Sequence, residues 1–365
     1  MWVLIITSFV ALGLTYLESR ERLKNGMALG FILVTAVAAI HYDYGNDYMN
    51  YYEFYDQCGA YSFNEIISND KQYLGMEMGW VLLNHVFQYL GGFFSLIAVL
   101  SILQGVVFFN AIKNNVEKSW WPLAVFTYLF NFSFYALSFS MLRQSLVMTL
   151  FVMMWPLIRD RRWLLCLGIY VVCVLIHSSA AVMLLGIFVG FLPMKNIKVW
   201  SVSLLSFLAL TLVSSGVRET IYSALLQIEI FEEYDRNYNV SSYQNTYGLG
   251  YVLILLPFLL SLFYAFKGRF DRQTKQLSLM YYLSFLIVPF GMEIYMLPRA
   301  SLIFSIYSVL TVPVIYKQVK NTLTRAGFIF LYVFIYGYMY WGSFFEKNSV
   351  YAEPYETFHT IFSAT

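Results

Sequence analysis

Long apolar blocks separated by short polar loops run through almost the whole 365-residue chain. The blocks are continuous rather than alternating, and they reach the roughly 20 helical residues that cross a hydrocarbon core of about 30 Å. A transmembrane β-barrel would show alternating apolar and polar positions instead. The pattern therefore predicts an all-α, polytopic integral membrane protein.

The composition supports a membrane-embedded chain. Hydrophobic residues make up 59% and charged residues 12% of the sequence, and the mean hydropathy is +0.62. A soluble domain averages about 25% charged residues, and half that share cannot coat a water-facing surface of this size. The first apolar block, Trp2 to Leu17, has no basic residue before it and no small-residue cleavage site after it. We therefore expect a retained first helix rather than a signal peptide.

Basic residues cluster in six loops between the apolar blocks. These loops contain 17 of the 23 Lys and Arg but only 5 of the 21 Asp and Glu. The positive-inside rule places such loops in the cytoplasm. The loops are residues 18–26, 113–118, 159–162, 194–198, 267–275 and 317–325. Segments 43–72 and 215–247 and the tail 343–365 are then predicted to lie outside, together with both termini.

The alternation of loops predicts about twelve crossings, with a range of 11–13, in a single transmembrane unit of residues 1–365. An even number of helices must join successive cytoplasmic loops, and the two end blocks add one crossing each. Residues 74–92 are left over, because a full crossing there would place residues 113–118 outside. We expect this segment to form a re-entrant or interfacial helix at the outer face.

Three ionisable residues fall at the predicted outer end of helical hairpins: Arg143, His177 and Arg299. Intramembrane ionisable groups are costly, and they mark functional sites by default. Other interpretations exist for each residue. Arg143 would also be explained by snorkelling to the outer headgroups, His177 by capping its turn, and Arg299 by a salt bridge to Glu293. Gln144 beside Arg143, and the matching depths, favour a shared polar site.

The external segment 41–65 interleaves carboxylates with tyrosines, among them Asp47, Tyr48 and Tyr51. Carboxylates accept hydrogen bonds from hydroxyl groups and tyrosine rings stack on sugar faces, so the combination suits carbohydrate. An interfacial aromatic belt would explain the tyrosines but not the acids. Asp43 and Asp47 lack a third ligand at helical spacing, and no nucleotide-binding motif is present. We predict no metal, no cofactor and no nucleic-acid partner.

Six motifs, in order, resemble the EpsG/Wzy-type polysaccharide polymerases. "GNDYMNYY" (45–52) is similar to the family's G-x-D-Y-x-x-Y element, and "EMGWVLL" (77–83) to E-x-G-x-x-x-L. "MLRQSLVMTLFV" (141–152) resembles its Arg-Gln helix, although Ser145 departs from the usual residue. "HSSAAVML" (177–184) resembles its H-x-S-A motif, and "PRASLIF" (298–304) and "EPYETF" (353–358) match more loosely.

The resemblance implies a polymerase of the bacterial inner membrane that acts on the periplasmic or outer face and looks similar to GT-C-type glycosyltransferases. Its donor would be a growing chain on undecaprenyl diphosphate, and its acceptor a new lipid-linked oligosaccharide. Membrane lipid and a chain-length-regulating membrane protein are the other partners it suggests. An O-antigen ligase and a lipid-oligosaccharide flippase or transporter are the alternatives.

Residue roles follow from the chemistry of that reaction. Arg143 and Arg299 are candidates to stabilise the departing diphosphate, with Gln144, Tyr48, Tyr51 and Glu293 as further substrate-binding residues. Asp47, His177 and Glu77 are the candidate bases, with Glu77 ranked third.

Overall fold

The computed structural model is almost entirely α-helical. It describes residues 1–68, 76–225, 270–287, 297–345, 349–353 and 355–357, with isolated residues at 255, 258–260, 262–264 and 267. The helices are α1 Trp2–Ser19, α2 Gly26–Ala39, α3 Tyr48–Cys58, α4 Phe63–Ser68, α5 Met78–Tyr89, α6 Gly92–Asn115, α7 Trp121–Phe130, α8 Leu142–Arg159, α9 Trp163–Ile176, α10 Met183–Val189, α11 Ile197–Val213, α12 Ser215–Leu225, α13 Arg272–Ile287, α14 Leu297–Ser305, α15 Ser308–Lys317 and α16 Thr322–Phe345. The strands β1 His41–Tyr42 and β2 Glu356–Thr357 pair antiparallel.

Three of the described helices, α1, α6 and α16, are long and apolar enough to cross a membrane. Two bent pairs raise this number to five: residues 178–189 with 194–211, bent by 98°, and residues 299–305 with 308–317, bent by 47°. The 14-residue helices α2 and α9 are apolar but shorter. The protein is therefore an all-α membrane protein, and the count of twelve crossings stays a prediction.

The described residues form two compact units. The first comprises Met1–Trp155, Leu167–His177 and Tyr336–Thr365, and the second comprises Pro156–Cys166 and Ser178–Ile335. The single transmembrane unit stays a prediction, as does the external placement of segments 43–72, 215–247 and 343–365.

Aromatic packing holds the first unit together. The ring of Tyr128 in α7 stacks on Phe108 of α6 at 4.3 Å and on Phe31 of α2 at 5.8 Å between centroids. The hydroxyl of Tyr135 donates to the carbonyl of Val34 at 2.8 Å. Stacked aromatic pairs add about 0.5–1.5 kcal/mol each beyond the area they bury. Three helices are thereby fixed against one another.

Contacts within the first unit show which ends of its helices lie together. Lys118 Nζ, before α7, is 3.9 Å from Glu21 Oε1, after α1, so two basic loops share one end. Trp155 of α8 donates to Asn115 at the end of α6 at 3.1 Å, and earlier in both helices Ser145 donates to Gln104 at 3.2 Å. Helices α6 and α8 therefore run in the same direction, and the first residues of α8 lie away from these basic loops.

The tail segment, residues 349–353 and 355–357, is held against the start of segment 41–65. Besides the β1–β2 pairing, Tyr44 donates its hydroxyl hydrogen bond to the carbonyl of Tyr351 at 2.7 Å. The hydroxyl groups of Tyr351 and Ser140 are 2.6 Å apart. Gly45 has a φ of +93°, and a Cβ there would lie 2.5 Å from the Ser140 side chain, so the turn requires glycine. The tail segment thus joins segment 41–65 to the residues that precede α8.

Candidate functional site

Arg143 is the second residue of α8 and follows a connection from α7 that contains a short 3-10 helix, Ala136–Phe139. It lies 12 residues before Trp155, about 18 Å along the helix axis at 1.5 Å per residue. Arg143 therefore lies near one end of α8, and its depth in the membrane stays a prediction. The first turn of a helix also carries a partial positive charge, which adds to that of the guanidinium. The start of α8 is suited to an anion.

One carboxylate joins the two ionisable residues that hydropathy singled out in this unit. Glu77 stands at the N-cap position of α5, and its Oε2 accepts a hydrogen bond from Nη1 of Arg143. Its Oε1 lies 3.2 Å from Nδ1 of His177, the residue after α9. Arg143 is 66 residues and His177 is 100 residues from Glu77 in the sequence, and both side chains contact its carboxylate.

The contact with Glu77 defines the chemistry of the imidazole. An ionised carboxylate only accepts hydrogen bonds, so Nδ1 of His177 carries the proton in this pair. The other nitrogen, Nε2, is then the basic atom of the neutral ring. This is the arrangement in which a carboxylate orients a histidine base in hydrolytic triads. The pair Glu77–His177 is therefore equipped to take a proton from a hydroxyl group.

A glycine permits the approach of α5 to α9 that brings Glu77 to His177. A Cβ on Gly79 would lie 2.7 Å from the carbonyl oxygen of Leu175 and 2.9 Å from its Cβ. Contacts below 3.0 Å to backbone atoms require the helices to separate. Gly79 is two residues after Glu77, and Leu175 is two residues before His177. The glycine of the E-x-G motif therefore sets the distance between the carboxylate and the imidazole.

Aromatic rings lie beside the guanidinium. The Tyr51 ring of α3 has its centroid 5.8 Å from Cζ of Arg143, within the range of a cation–π contact. The ring of Trp80 in α5 contacts Tyr51 edge to face at 5.5 Å. The side chains of Arg143, Glu77 and His177 are 18%, 21% and 11% exposed. We call Tyr51, Glu77, Arg143 and His177 the Glu77 cluster; it is accessible but largely surrounded by protein.

The other two predicted residues of segment 41–65, Asp47 and Tyr48, stand at the start of α3, one turn before Tyr51. Asp47 immediately precedes α3 and is half-buried, and its carbonyl accepts a hydrogen bond from the Tyr51 amide at 3.1 Å. Tyr48 is buried, and its hydroxyl donates to the His41 carbonyl at 3.2 Å. Burial raises the pKa of Tyr48 above its ordinary value, so it remains a donor. Its substrate-binding role, like that of Asp47 as a base, stays a prediction.

Two further polar residues of this unit, His41 and Gln144, are buried. His41, which the sequence did not single out, is buried, with Nδ1 2.6 Å from the Ala38 carbonyl and Nε2 2.9 Å from that of Phe139. Burial lowers the pKa of His41 to about 4, against the opposing effect of the two carbonyls. The ring is therefore neutral near pH 7. Gln144, beside Arg143, is also buried, at 1% exposure.

Arg299 belongs to the second unit, where it is the third residue of α14 and is half-buried. Like Arg143 in α8, it stands in the first turn of its helix, and the equal membrane depth of the two residues stays a prediction. Its proposed partner Glu293 lies outside the described residues. A common site for Arg143 and Arg299 stays a prediction. Among the residues described, no group of three or more His, Cys, Asp or Glu side chains is placed to hold a metal ion.

Comparison with known proteins bears on most of the chain. A family model described as the EpsG family matches residues 24–357. None of the curated proteins matches the chain. No solved structure matches it either.

Proposed function

The chain belongs to the EpsG family, the family of Wzy-type polysaccharide polymerases, and from this premise we propose its specific reaction. The protein joins undecaprenyl-diphosphate-linked oligosaccharide units into a surface polysaccharide. It does so at the periplasmic face of the bacterial inner membrane, as a multi-pass protein with a GT-C-like arrangement. Membrane membership is supported by the apolar helices, and the polymerase role by the family.

The observation that carries this proposal is the Glu77 cluster. A guanidinium for an anion and an oriented imidazole for a hydroxyl proton are joined by one carboxylate. They lie at the end of α8 away from two basic loops of the same unit. Glycosyl transfer from a lipid diphosphate needs both functions close together.

The reaction assigns a role to each group. The acceptor hydroxyl oxygen forms a bond to the anomeric carbon of the donor sugar. The bond from that carbon to the diphosphate oxygen breaks, and the diphosphate leaves with the electron pair. The hydroxyl proton passes to Nε2 of His177, which Glu77 orients. Arg143 stabilises the charge that grows on the leaving oxygen, and a positioned donor of this kind contributes about 10²–10³ in rate.

The remaining predicted residues act on the two substrates. Arg299 supplies a second cation to the diphosphate, with Glu293 as its partner. Tyr51 offers an aromatic surface beside Arg143, and Gln144 and Tyr48 help to shape the site. Asp47 is the alternative base, since it precedes the helix that carries Tyr51. A chain-length-regulating membrane protein is a further partner under this proposal.

Deletion of the gene followed by glycan electrophoresis tests the function. We expect loss of the ladder of long chains while single repeat units remain on the surface, and restoration of the ladder by the intact chain. Absence of all surface glycan would indicate a flippase or a ligase instead. A ladder that survives deletion would contradict the polymerase proposal.

A further inference from the structure

We propose that Glu77 is the ion-pair partner of Arg143 in the resting protein and that the donor diphosphate replaces it there. Binding of the donor would then make the Glu77–His177 pair a stronger base. This inference rests on the proposed function and adds a control step to it. The site would then exist in two states. In one the guanidinium pairs with a carboxylate of the protein, and in the other it pairs with the lipid diphosphate.

The geometry of Glu77 supports this exchange. Its two oxygens are divided between two partners, Oε2 to Arg143 and Oε1 to His177. Loss of the first contact leaves the second in place, so the carboxylate keeps its hold on the imidazole. Glu77 also precedes α5 at an extended N-cap residue, with φ −68° and ψ 142°, so its carboxylate is attached to the end of the helix rather than to its interior.

Arg143 is suited to change partners. A guanidinium has five donors in a planar fork and matches phosphate oxygens in pairs. A lipid diphosphate carries more negative charge than a carboxylate, and the first turn of α8 adds to its attraction. The Arg143 side chain is 18% exposed, so it is not closed off completely by the protein. In the state described here, Tyr51 lies beside the guanidinium, with its ring centroid 5.8 Å from Cζ.

The exchange makes the proton affinity of the Glu77–His177 pair depend on whether the donor is bound. A carboxylate that loses a cationic neighbour holds a proton more tightly. Once the diphosphate has taken Arg143, the Glu77–His177 pair becomes a stronger acceptor for the hydroxyl proton of the incoming sugar. Proton removal from the acceptor is then coupled to the presence of a leaving group.

Binding of undecaprenyl diphosphate to the purified full-length protein in lipid nanodiscs tests the inference. Glu77→Gln preserves the shape of the side chain but removes the competing charge, so we expect its Kd to fall about tenfold. Undecaprenyl monophosphate and free pyrophosphate, measured alongside, separate the contribution of the lipid from that of the diphosphate. Glu21→Gln is the matched control, since it removes the carboxylate that contacts Lys118 between the basic loops 18–26 and 113–118. Its Kd should stay within about twofold of the intact protein.

The outcomes separate this inference from the function on which it rests. Weaker or unchanged binding by Glu77→Gln would mean that Glu77 positions Arg143 for the substrate, and the exchange would be wrong while the polymerase proposal stands. Failure of the intact protein to bind any of the three probes would remove the support for the polymerase site itself. If Glu77→Gln does not fold, Glu77→Asp is the second variant. Its side chain is one methylene shorter, so the carboxylate lies farther from Arg143, and we expect the Kd for undecaprenyl diphosphate to fall about threefold.

Discussion

The first unit carries an ion pair at each of two places, and the surroundings of the two pairs differ. Lys118 and Glu21 are 3.9 Å apart between two basic loops, and their side chains are 44% and 84% exposed. Arg143 and Glu77 lie at the start of α8, where both side chains are about one fifth exposed. Exposed pairs contribute about 0–1 kcal/mol because water and salt screen them. Removal of one partner from a more buried pair leaves a poorly solvated charge and costs more.

The comparison separates two uses of charge in one membrane protein. In the basic loops the net charge is what the prediction depends on, since clustered Lys and Arg are expected to orient the chain in the membrane. At the start of α8 the position of each atom matters, since one carboxylate must reach two partners at once. Substitutions should therefore have small effects on the exposed pair and large ones in the Glu77 cluster.

The largest effect is expected from Arg143→Lys. The lysine keeps the charge but lacks the planar fork that pairs with diphosphate oxygens. We expect polymerisation to fall about 10²–10³-fold, as measured by chain formation from lipid-linked units in membranes that contain equal amounts of protein. Arg325→Lys, in the first turn of α16 and within the basic segment 317–325, is the control and should keep full activity. A long-chain ladder from the Arg143 variant would contradict its role at the leaving group.

The next largest effect is expected from Gly79→Ala. A Cβ at this position would lie 2.7 Å from the Leu175 carbonyl oxygen, so α5 and α9 would separate and Glu77 would move from His177. A displacement of about 1 Å at reacting groups can cost about 10²-fold in rate. Single-turnover transfer should slow by that order. Gly168→Ala in α9 is the matched control, since a Cβ there has nothing within 4 Å.

A smaller effect, on stability, is expected from the buried His41. Its pKa is lowered from 6.5 to about 4 by burial, so between these values the unfolded chain binds a proton that the folded chain does not. The free energy of unfolding should therefore fall on acidification, by about 2 kcal/mol between pH 7.5 and pH 5. Unfolding curves of the purified protein would measure it. His41→Gln should remove this part of the pH dependence, and an unchanged slope would contradict the assignment.

The smallest effect is expected from Glu21→Gln. The exposed pair with Lys118 is screened by water, so the free energy of unfolding should change by less than about 0.5 kcal/mol. The same unfolding curves, measured at low and high salt, would show it. A loss of more than about 2 kcal/mol would mean that the contact between the two basic loops stabilises the fold.

The sequence identified the members of the Glu77 cluster but not their arrangement. Arg143 and His177 were found because each interrupts an apolar block, and Glu77 because it stands in an E-x-G motif. From the sequence, Glu77 ranks third among the candidate bases, behind Asp47 and His177. The contacts across 66 and 100 residues depend on how α5, α8 and α9 pack, which hydropathy does not report.

The same limit applies to the helices. Hydropathy shows which stretches of the chain are apolar enough to lie in a membrane, but it does not show where a helix within such a stretch ends or bends. The apolar residues of 178–211 form two helical stretches bent by 98°, and α2 and α9 have only 14 residues each. The 12-residue α5 rises about 18 Å, which is short of a 30 Å core, and the re-entrant or interfacial placement of residues 74–92 stays a prediction.

The tail segment is synthesised long after segment 41–65, the segment with which it pairs. Tyr44 and the Tyr351 carbonyl that it contacts are separated by 307 residues. At a synthesis rate of about 5–20 residues per second, roughly 15–60 s pass before segment 41–65 meets its partner strand. Until then the turn at Gly45 lacks Tyr351, and Ser140 lacks its hydroxyl partner. A chain that stops short of residue 351 would lack both contacts, so segment 41–65 and the residues before α8 would not yet be joined.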